Sequence, residues 1–170
     1  MWNDTDIPLA ILITFRCYGT WLHGDGRGSV DRHNNAYRSS KIPRNSNWEK
    51  HNKASLKHPP VVLNAKQRHS VEKAIRETCA IRGWHLYAIN VRTNHVHVVV
   101  AIGITRPDTA LIAFKSNATR QMRTDGCWAS ERGPWVEKGS RRNLWNERSI
   151  WNACDYVLNG QGDDLPDFDV

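Results

Sequence analysis

The sequence predicts an α+β domain in the order β-α-β-β-α-β, closed by a last helix. Three observations predict it: a short apolar run near the start, two stretches with apolar residues at helical spacing, and between them two β-rich segments joined by a two-residue turn. At 170 residues the chain fits one domain, since domains commonly run about 100 to 150 residues. That domain is placed at 1–162, with an acidic tail at 163–170.

Ile7 to Phe15, extending toward Tyr18, reads as a buried first strand. It is interrupted by Pro8 and Thr14 and falls far short of the roughly 20 apolar residues that span a bilayer, so no membrane partner is expected. Gly19, Gly24, Gly26 and Gly28 then lead into a polar stretch that ends at Pro59-Pro60. So long a segment without periodicity inside a compact domain marks a functional insertion, here 22–60. Leu63-Asn64 offers a helix cap, and Val71, Ala74, Ile75, Thr78, Cys79 and Ile81 recur at helical spacing until Gly83 stops them. Trp84 to Arg92 and His95 to Ile102 read as two strands around a Thr93-Asn94 turn. Pro107-Asp108 opens a second helix through Leu111, Ile112, Phe114, Ala118 and Met122 to Gly126. A short strand is expected near Arg142 to Trp145, and a last helix over Ser149 to Asn159. This is the ferredoxin-like pattern, with both internal helices on one face of an antiparallel sheet and the other face left for ligands.

Lys and Arg number 24 against 17 acids, a net charge of +7, which points to a polyanionic partner, nucleic acid first. The positive charge is concentrated: 22–60 holds eight Lys and Arg against three acids, and 115–142 holds seven against three. The tail carries four Asp and no base, so it is expected to stay off a phosphate path. Arg27 and Arg32 in the insertion, Arg16 on the first strand, and Lys115 and Arg120 on the second helix are the candidate phosphate contacts. Trp21 and Trp48 are candidates for stacking on unpaired bases, and the remaining tryptophans read as core. Cys17, Cys79, Cys127 and Cys154 are scattered without a C-x-x-C pair, which excludes a disulfide framework and fits a reducing cytoplasm. His23, His33, His51 and His58 match no usual zinc spacing.

The chemistry centres on His95-Val96-His97. Side chains alternate along a strand, so His95, His97 and Val99 share one face while Val96, Val98 and Val100 pack on the other. Two imidazoles projecting together can grip one divalent ion; the alternative is a pair of satisfied core histidines. Of the four tyrosines, Tyr156 lies on the last helix. There Ile150, Cys154, Val157 and Leu158 form an apolar stripe, and Tyr156 stands about 140° from its centre. A nucleophile or a base-stacking residue must point that way; a partly buried tyrosine with its hydroxyl in water is the other reading.

The segment Asn94-His95-Val96-His97-Val98-Val99 resembles the core of the single-tyrosine HUH transposases, including the REP-associated tyrosine transposases. Ile13 to Leu22 is similar to the family's opening strand, and Phe114-Lys115-Ser116 with Thr119-Arg120 to its second-helix segment. Leu144-Trp145 and Asp155 to Gly162 are similar to its tyrosine helix. The resemblance implies a ferredoxin-like fold and a Mg²⁺ or Mn²⁺ ion held by His95 and His97. It further implies attack by Tyr156 to give a 5′-phosphotyrosine and a free 3′-OH, single-stranded DNA hairpins as substrate, a homodimer, and a nucleoid-associated place in the cytoplasm. Relatives carry a Gln or Asn about one turn past the tyrosine as third ligand. Gly160 occupies that position here, flanked by Asn159 and Gln161. Gln161 is favoured if the helix unwinds at Gly160 and Gly162, and Asn159 is the rival in an unbroken helix. Arg92-Thr93 stands where many relatives have Met-Pro. Two other functions fit the same pattern: a catalytically inactive DNA-hairpin-binding protein and an RNA-binding ferredoxin-like module.

Overall fold

The computed structural model describes residues 6–19 and 56–167, together with Asn47, Lys50 and Ala54. Trp21, Arg27, Arg32, Trp48, His23, His33 and His51, and with them nearly all of 22–60, lie outside the described residues. The elements follow in the order β1 (Ala10–Cys17), α1 (Ala65–Arg82), β2 (His85–Val91), β3 (His95–Ala101), α2 (Pro107–Thr124), β4 (Trp135–Leu144) and α3 (Glu147–Asn159). The four strands form one sheet, β2-β3-β1-β4, and every neighbouring pair is antiparallel. This is the ferredoxin-like α+β arrangement.

Local chemistry sets the helix boundaries. Asn64 caps α1 in a reciprocal capping box: its side chain accepts from the Gln67 amide at 2.8 Å, and the Gln67 side chain accepts from the Asn64 amide at 2.9 Å. Gly83 ends the helix at φ 69°, a left-handed conformation that suits glycine. The second helix begins with proline at its first position, where the missing N–H costs nothing. In α3, Asn146 accepts from the Ser149 amide at 2.8 Å.

Strand alternation divides the core in two. Ile11, Ile13, Phe15 and Cys17 of β1 and Val96, Val98 and Val100 of β3 pack under α1 and α2 with Val71, Ile75, Leu111, Phe114 and Met122. On the other face a smaller cluster joins Ala10, Leu12, Ala88, Val99 and Leu144 to Ile150, Ala153 and Val157 of α3. That face is therefore not wholly open, because the last helix roofs part of it. The buried stripe of α3 is Ile150, Ala153 and Val157. Leu158, expected in it, is 53% exposed, since the stripe follows one narrow helical line on the sheet.

The fourth strand differs most from expectation, running from Trp135 rather than Arg142. It is an edge strand whose Glu137, Lys138, Ser140 and Arg141 face solvent, so no apolar alternation announces it. Its anchors are its ends. Trp135 packs edge-on against Phe15 with ring centroids 4.8 Å apart, and Leu144 is buried in the smaller core. Trp84 joins the main core, whereas Trp145 and Trp151, expected inside, are exposed; one follows β4 and the other lies on the outer side of α3. Among the described residues no helix is long and apolar enough to cross a membrane.

The edge strand approaches its neighbour so closely at Gly139 that an added Cβ would lie 2.8 Å from the Thr14 carbonyl oxygen and 3.1 Å from both Leu111 methyls. Gly139→Ala is therefore expected to destabilise the fold by about 1–3 kcal/mol, read as a lower urea midpoint at unchanged slope. A midpoint equal to the parent's would show that β4 sits farther from β1 than described.

Candidate metal centre and nucleophile

The two histidines occupy the central strand β3 at positions where the register places Arg16 opposite His95 and Thr14 opposite His97 on β1, and Asn90 opposite His97 on β2. Their rings stand together, with centroids 4.7 Å apart. Only 1% of His97 is exposed.

Each ring has an oxygen at Nδ1. Asn94 Oδ1 lies 2.6 Å from His95 Nδ1, and Thr14 Oγ1 lies 2.7 Å from His97 Nδ1. An amide oxygen only accepts and a hydroxyl accepts as readily as it donates, so both rings can carry their proton on Nδ1. Both Nε2 lone pairs then point to the same place. Gln161 Oε1 stands there, 3.2 Å from His95 Nε2 and 3.1 Å from His97 Nε2. Its amide cannot be reversed, because Gln161 Nε2 donates to the Tyr156 carbonyl at 2.9 Å and a carbonyl cannot donate in return.

Gln161 reaches this position because the helix stops. The last helical residue is Asn159, and Gly160 caps the helix by donating to the Tyr156 carbonyl at 3.1 Å. A Cβ on Gly160 would meet that carbonyl at 2.7 Å. Gly162 follows at φ 86°, so two glycines bracket the residue that turns back. Asn159 donates to Asp155 Oδ1 at 2.9 Å instead. Tyr156 stands beside the histidines, its ring centroid 5.4 Å from that of His97, and is 44% exposed. Asn90 Nδ2 donates to the Val157 carbonyl at 2.9 Å, tying the tyrosine's helix to the sheet next to His97.

Burial, then the neighbouring His95 and to a smaller degree Arg92, push the His97 imidazole down to about 3, against Gln161 Oε1, which would accept from the protonated ring and so raises it. His97 is thus neutral near pH 7, the form that coordinates metals. Three lone pairs aimed at one point repel each other unless a cation is shared between them. Two imidazole nitrogens and an amide oxygen fit a divalent ion that accepts mixed nitrogen and oxygen ligands, and they leave positions open for a substrate. Among the described residues no cluster of three His, Cys, Asp or Glu could hold a metal; the third donor here is a glutamine.

The other expected contacts are not brought to this point. Lys115 and Arg120 lie on α2, on the opposite face of the sheet. The Lys115 ammonium donates to the Val136, Glu137 and Lys138 carbonyls at 2.7, 3.2 and 3.1 Å, and burial lowers its pKa. Arg120 donates to Asn117 Oδ1 at 3.2 Å. Arg16 does share the histidine face, opposite His95 and beside a register shift between β1 and β4. As alternative nucleophiles the buried thiols are poor: burial pushes Cys17 up to about 12 and Cys79 up to about 11.

The sequence reading missed Thr14 and Asn94, the two residues that orient the rings. Thr14 leaves a signal, a polar residue inside the run Ile11 to Phe15. It also missed two arginines. Arg92 Nη2 donates to the Asp163 carbonyl at 3.0 Å, and Arg68 Nη2 to the Pro166 carbonyl at 2.7 Å.

Three comparisons with known proteins bear on this arrangement. Residues 47–154 match the family model described as "Transposase IS200 like"; the match includes both histidines and ends just before Tyr156. No curated protein matches the chain. Among solved structures, a REP-associated tyrosine transposase bound to a REP hairpin is similar at a TM-score of 0.53 and 12% identity, covering 89% of this chain. This chain spans 66% of that protein, just under two thirds of its length. A candidate transposase from Deinococcus radiodurans R1 gives a TM-score of 0.45 and 13% identity over 94% of this chain and 95% of its own.

The depressed His97 pKa has a stability consequence. Below its unfolded value of 6.5, the unfolded chain takes up a proton that the folded chain refuses until about pH 3, so stability falls as pH drops through that window and is unaffected above it. Urea midpoints of the metal-free protein and of His97→Gln are therefore expected to differ by a constant amount above about pH 7. Below about pH 6.5 the difference should shift steadily against the parent protein. Parallel curves would contradict a neutral, buried His97.

Proposed function

The chain belongs to the IS200-like transposase family, and on that premise we propose that it cuts and rejoins single-stranded DNA at or near hairpins through a covalent link to Tyr156. The convergence of His95 Nε2, His97 Nε2 and Gln161 Oε1 beside that tyrosine carries the reading. His95, His97 and Gln161 would hold a divalent ion, Mg²⁺ or Mn²⁺, and that ion would supply neutralisation of charge on the phosphate oxygens and orientation of the phosphate. Mn²⁺ suits two imidazoles better than Mg²⁺ does.

The chain's own groups supply the rest. Tyr156 Oη gives up its proton and forms a bond to the scissile phosphorus, while the bond from phosphorus to the 3′ oxygen breaks. The products are a 5′-phosphotyrosine and, once that oxygen is protonated, a free 3′-OH. A 3′-OH attacking the same phosphorus reverses the step, so the energy of the broken bond is kept for rejoining. The exposure of Tyr156 lets a polymer reach it, and Arg16 on the same face supplies positive charge next to His95. The net charge of +7 favours a polyanion. The choice of hairpins as substrate is supported by the REP hairpin that the structural neighbour binds.

Joining two DNA ends calls for two covalent attachments, so a homodimer, with one Tyr156 in each chain, goes with this reading. Arg27, Arg32 and Trp21 are assigned to the DNA path with Arg16; Lys115 and Arg120, from the other face, serve only a strand that wraps around the sheet. A cytoplasmic, nucleoid-associated location goes with this activity.

Labelled single-stranded hairpins incubated with the protein and Mn²⁺ or Mg²⁺ should yield a protein–DNA adduct that survives denaturing electrophoresis. Tyr156→Phe should abolish it. His95→Ala or His97→Ala should lower its rate by about a hundredfold or more with a smaller effect on binding, which rests mainly on Lys and Arg. Absence of any adduct across a broad hairpin library, or an adduct undiminished in Tyr156→Phe, would overturn the mechanism.

A further inference from the structure

The residue that completes the donor set lies outside any helix or strand. Gln161 sits in the segment after α3, between Gly160 and Gly162, where the backbone has the freedom of two glycines. From 162 to 167 only Leu165 is even half-buried. A cleft of about 340 Å³, lined by Arg68, Asn90, Arg92 and Leu165 among others, separates this strap from α1 and β2. Apolar packing therefore does little to hold it.

Two guanidiniums do hold it. Arg92 Nη2 donates to the Asp163 carbonyl at 3.0 Å, two residues beyond Gln161, and Arg68 Nη2 donates to the Pro166 carbonyl at 2.7 Å. Both arginines have rigid footings. Arg68 also donates to the Leu63 carbonyl at 3.0 Å, and the Arg92 amide donates to the His95 carbonyl at 2.8 Å across the hairpin turn. The anchor for the strap thus grows from the same turn that starts the histidine strand. We propose that Arg92 and, behind it, Arg68 are positioning residues that lash the strap so that Gln161 Oε1 stays aimed at His95 and His97. The proposal rests on the metal reading only where it concerns ion affinity.

Charge and positioning predict opposite signs, which makes the idea testable. Arg92 is close enough for its charge to act on His97, so by charge alone its removal relieves repulsion and tightens cation binding. Loss of the strap weakens it instead, since removing a group that orients a ligand typically costs about tenfold to a hundredfold in metal affinity.

Two measurements on the full chain without DNA decide the matter. In the metal-free protein, the Gln161 side-chain amide, identified by its loss in Gln161→Ala, should be displaced from the free-glutamine position in nitrogen-15 NMR spectra. It should move to that position in Arg92→Ala and in Arg68→Ala. In Mn²⁺ titrations followed by electron paramagnetic resonance, both variants should bind about tenfold or more weakly than the parent. Arg68→Ala lies on a helix surface away from the histidines and guards against a folding defect in Arg92→Ala. An unchanged Gln161 signal in both variants, or Mn²⁺ affinity that holds or rises, overturns the strap. A parent protein that binds no Mn²⁺ while the Gln161 signal still responds to both variants refutes the metal reading and leaves the strap standing.

Discussion

The amide of Gln161 has one permitted orientation. Its nitrogen is held by the Tyr156 carbonyl, so its oxygen must face the two imidazoles. That carbonyl also accepts the Gly160 cap, and it belongs to the residue whose ring lies beside His97. Helix termination, the direction of the Gln161 oxygen and the placement of Tyr156 thus meet at one peptide group. A shift in where α3 ends would move all three together.

The sheet supplies the other half of the constraint. His95 and His97 are two residues apart on a central strand, so the pleat brings them to one face without further help. The valines between and beyond them seal the opposite face against α1 and α2, which leaves the imidazole face free of the main core's packing demands. The smaller cluster under α3 is enough to seat the tyrosine helix, and Asn90 fixes it next to His97. Thr14 and Asn94 then set the ring protons, the kind of outer support that fixes how a metal ligand presents its lone pair. The main core and the two imidazoles thus lie on different faces of the same strand.

Much of this was legible in the sequence, for physical reasons that differ from element to element. Both internal helices carry caps or stops that act locally, Asn64 with Gly83 for one and Pro107 for the other, so their bounds could be read within a residue or two. The histidine face followed from strand periodicity alone. Where the tyrosine helix ends was also readable, because Gly160 and Gly162 are visible as helix breakers. The edge strand β4 was not: its middle is charged and exposed, and only Trp135 and Leu144 at its ends are anchored by the core. Nor were Arg92 and Arg68, whose partners are backbone carbonyls 71 and 98 positions away. A side chain that binds a carbonyl leaves no complementary residue type in the sequence to find. Lys115 shows the same blindness from the other side: its charge read as a phosphate contact, yet it caps three carbonyls of β4.

If His95, His97 and Gln161 share one divalent ion next to Tyr156, anomalous diffraction from crystals grown with Mn²⁺ will locate it. A single strong anomalous peak is expected in contact with His95 Nε2, His97 Nε2 and Gln161 Oε1, on the side open to Tyr156. A crystal with Mn²⁺ bound elsewhere and none between these three atoms, or a peak held by Asn159 in place of Gln161, would contradict a shared ion at this site.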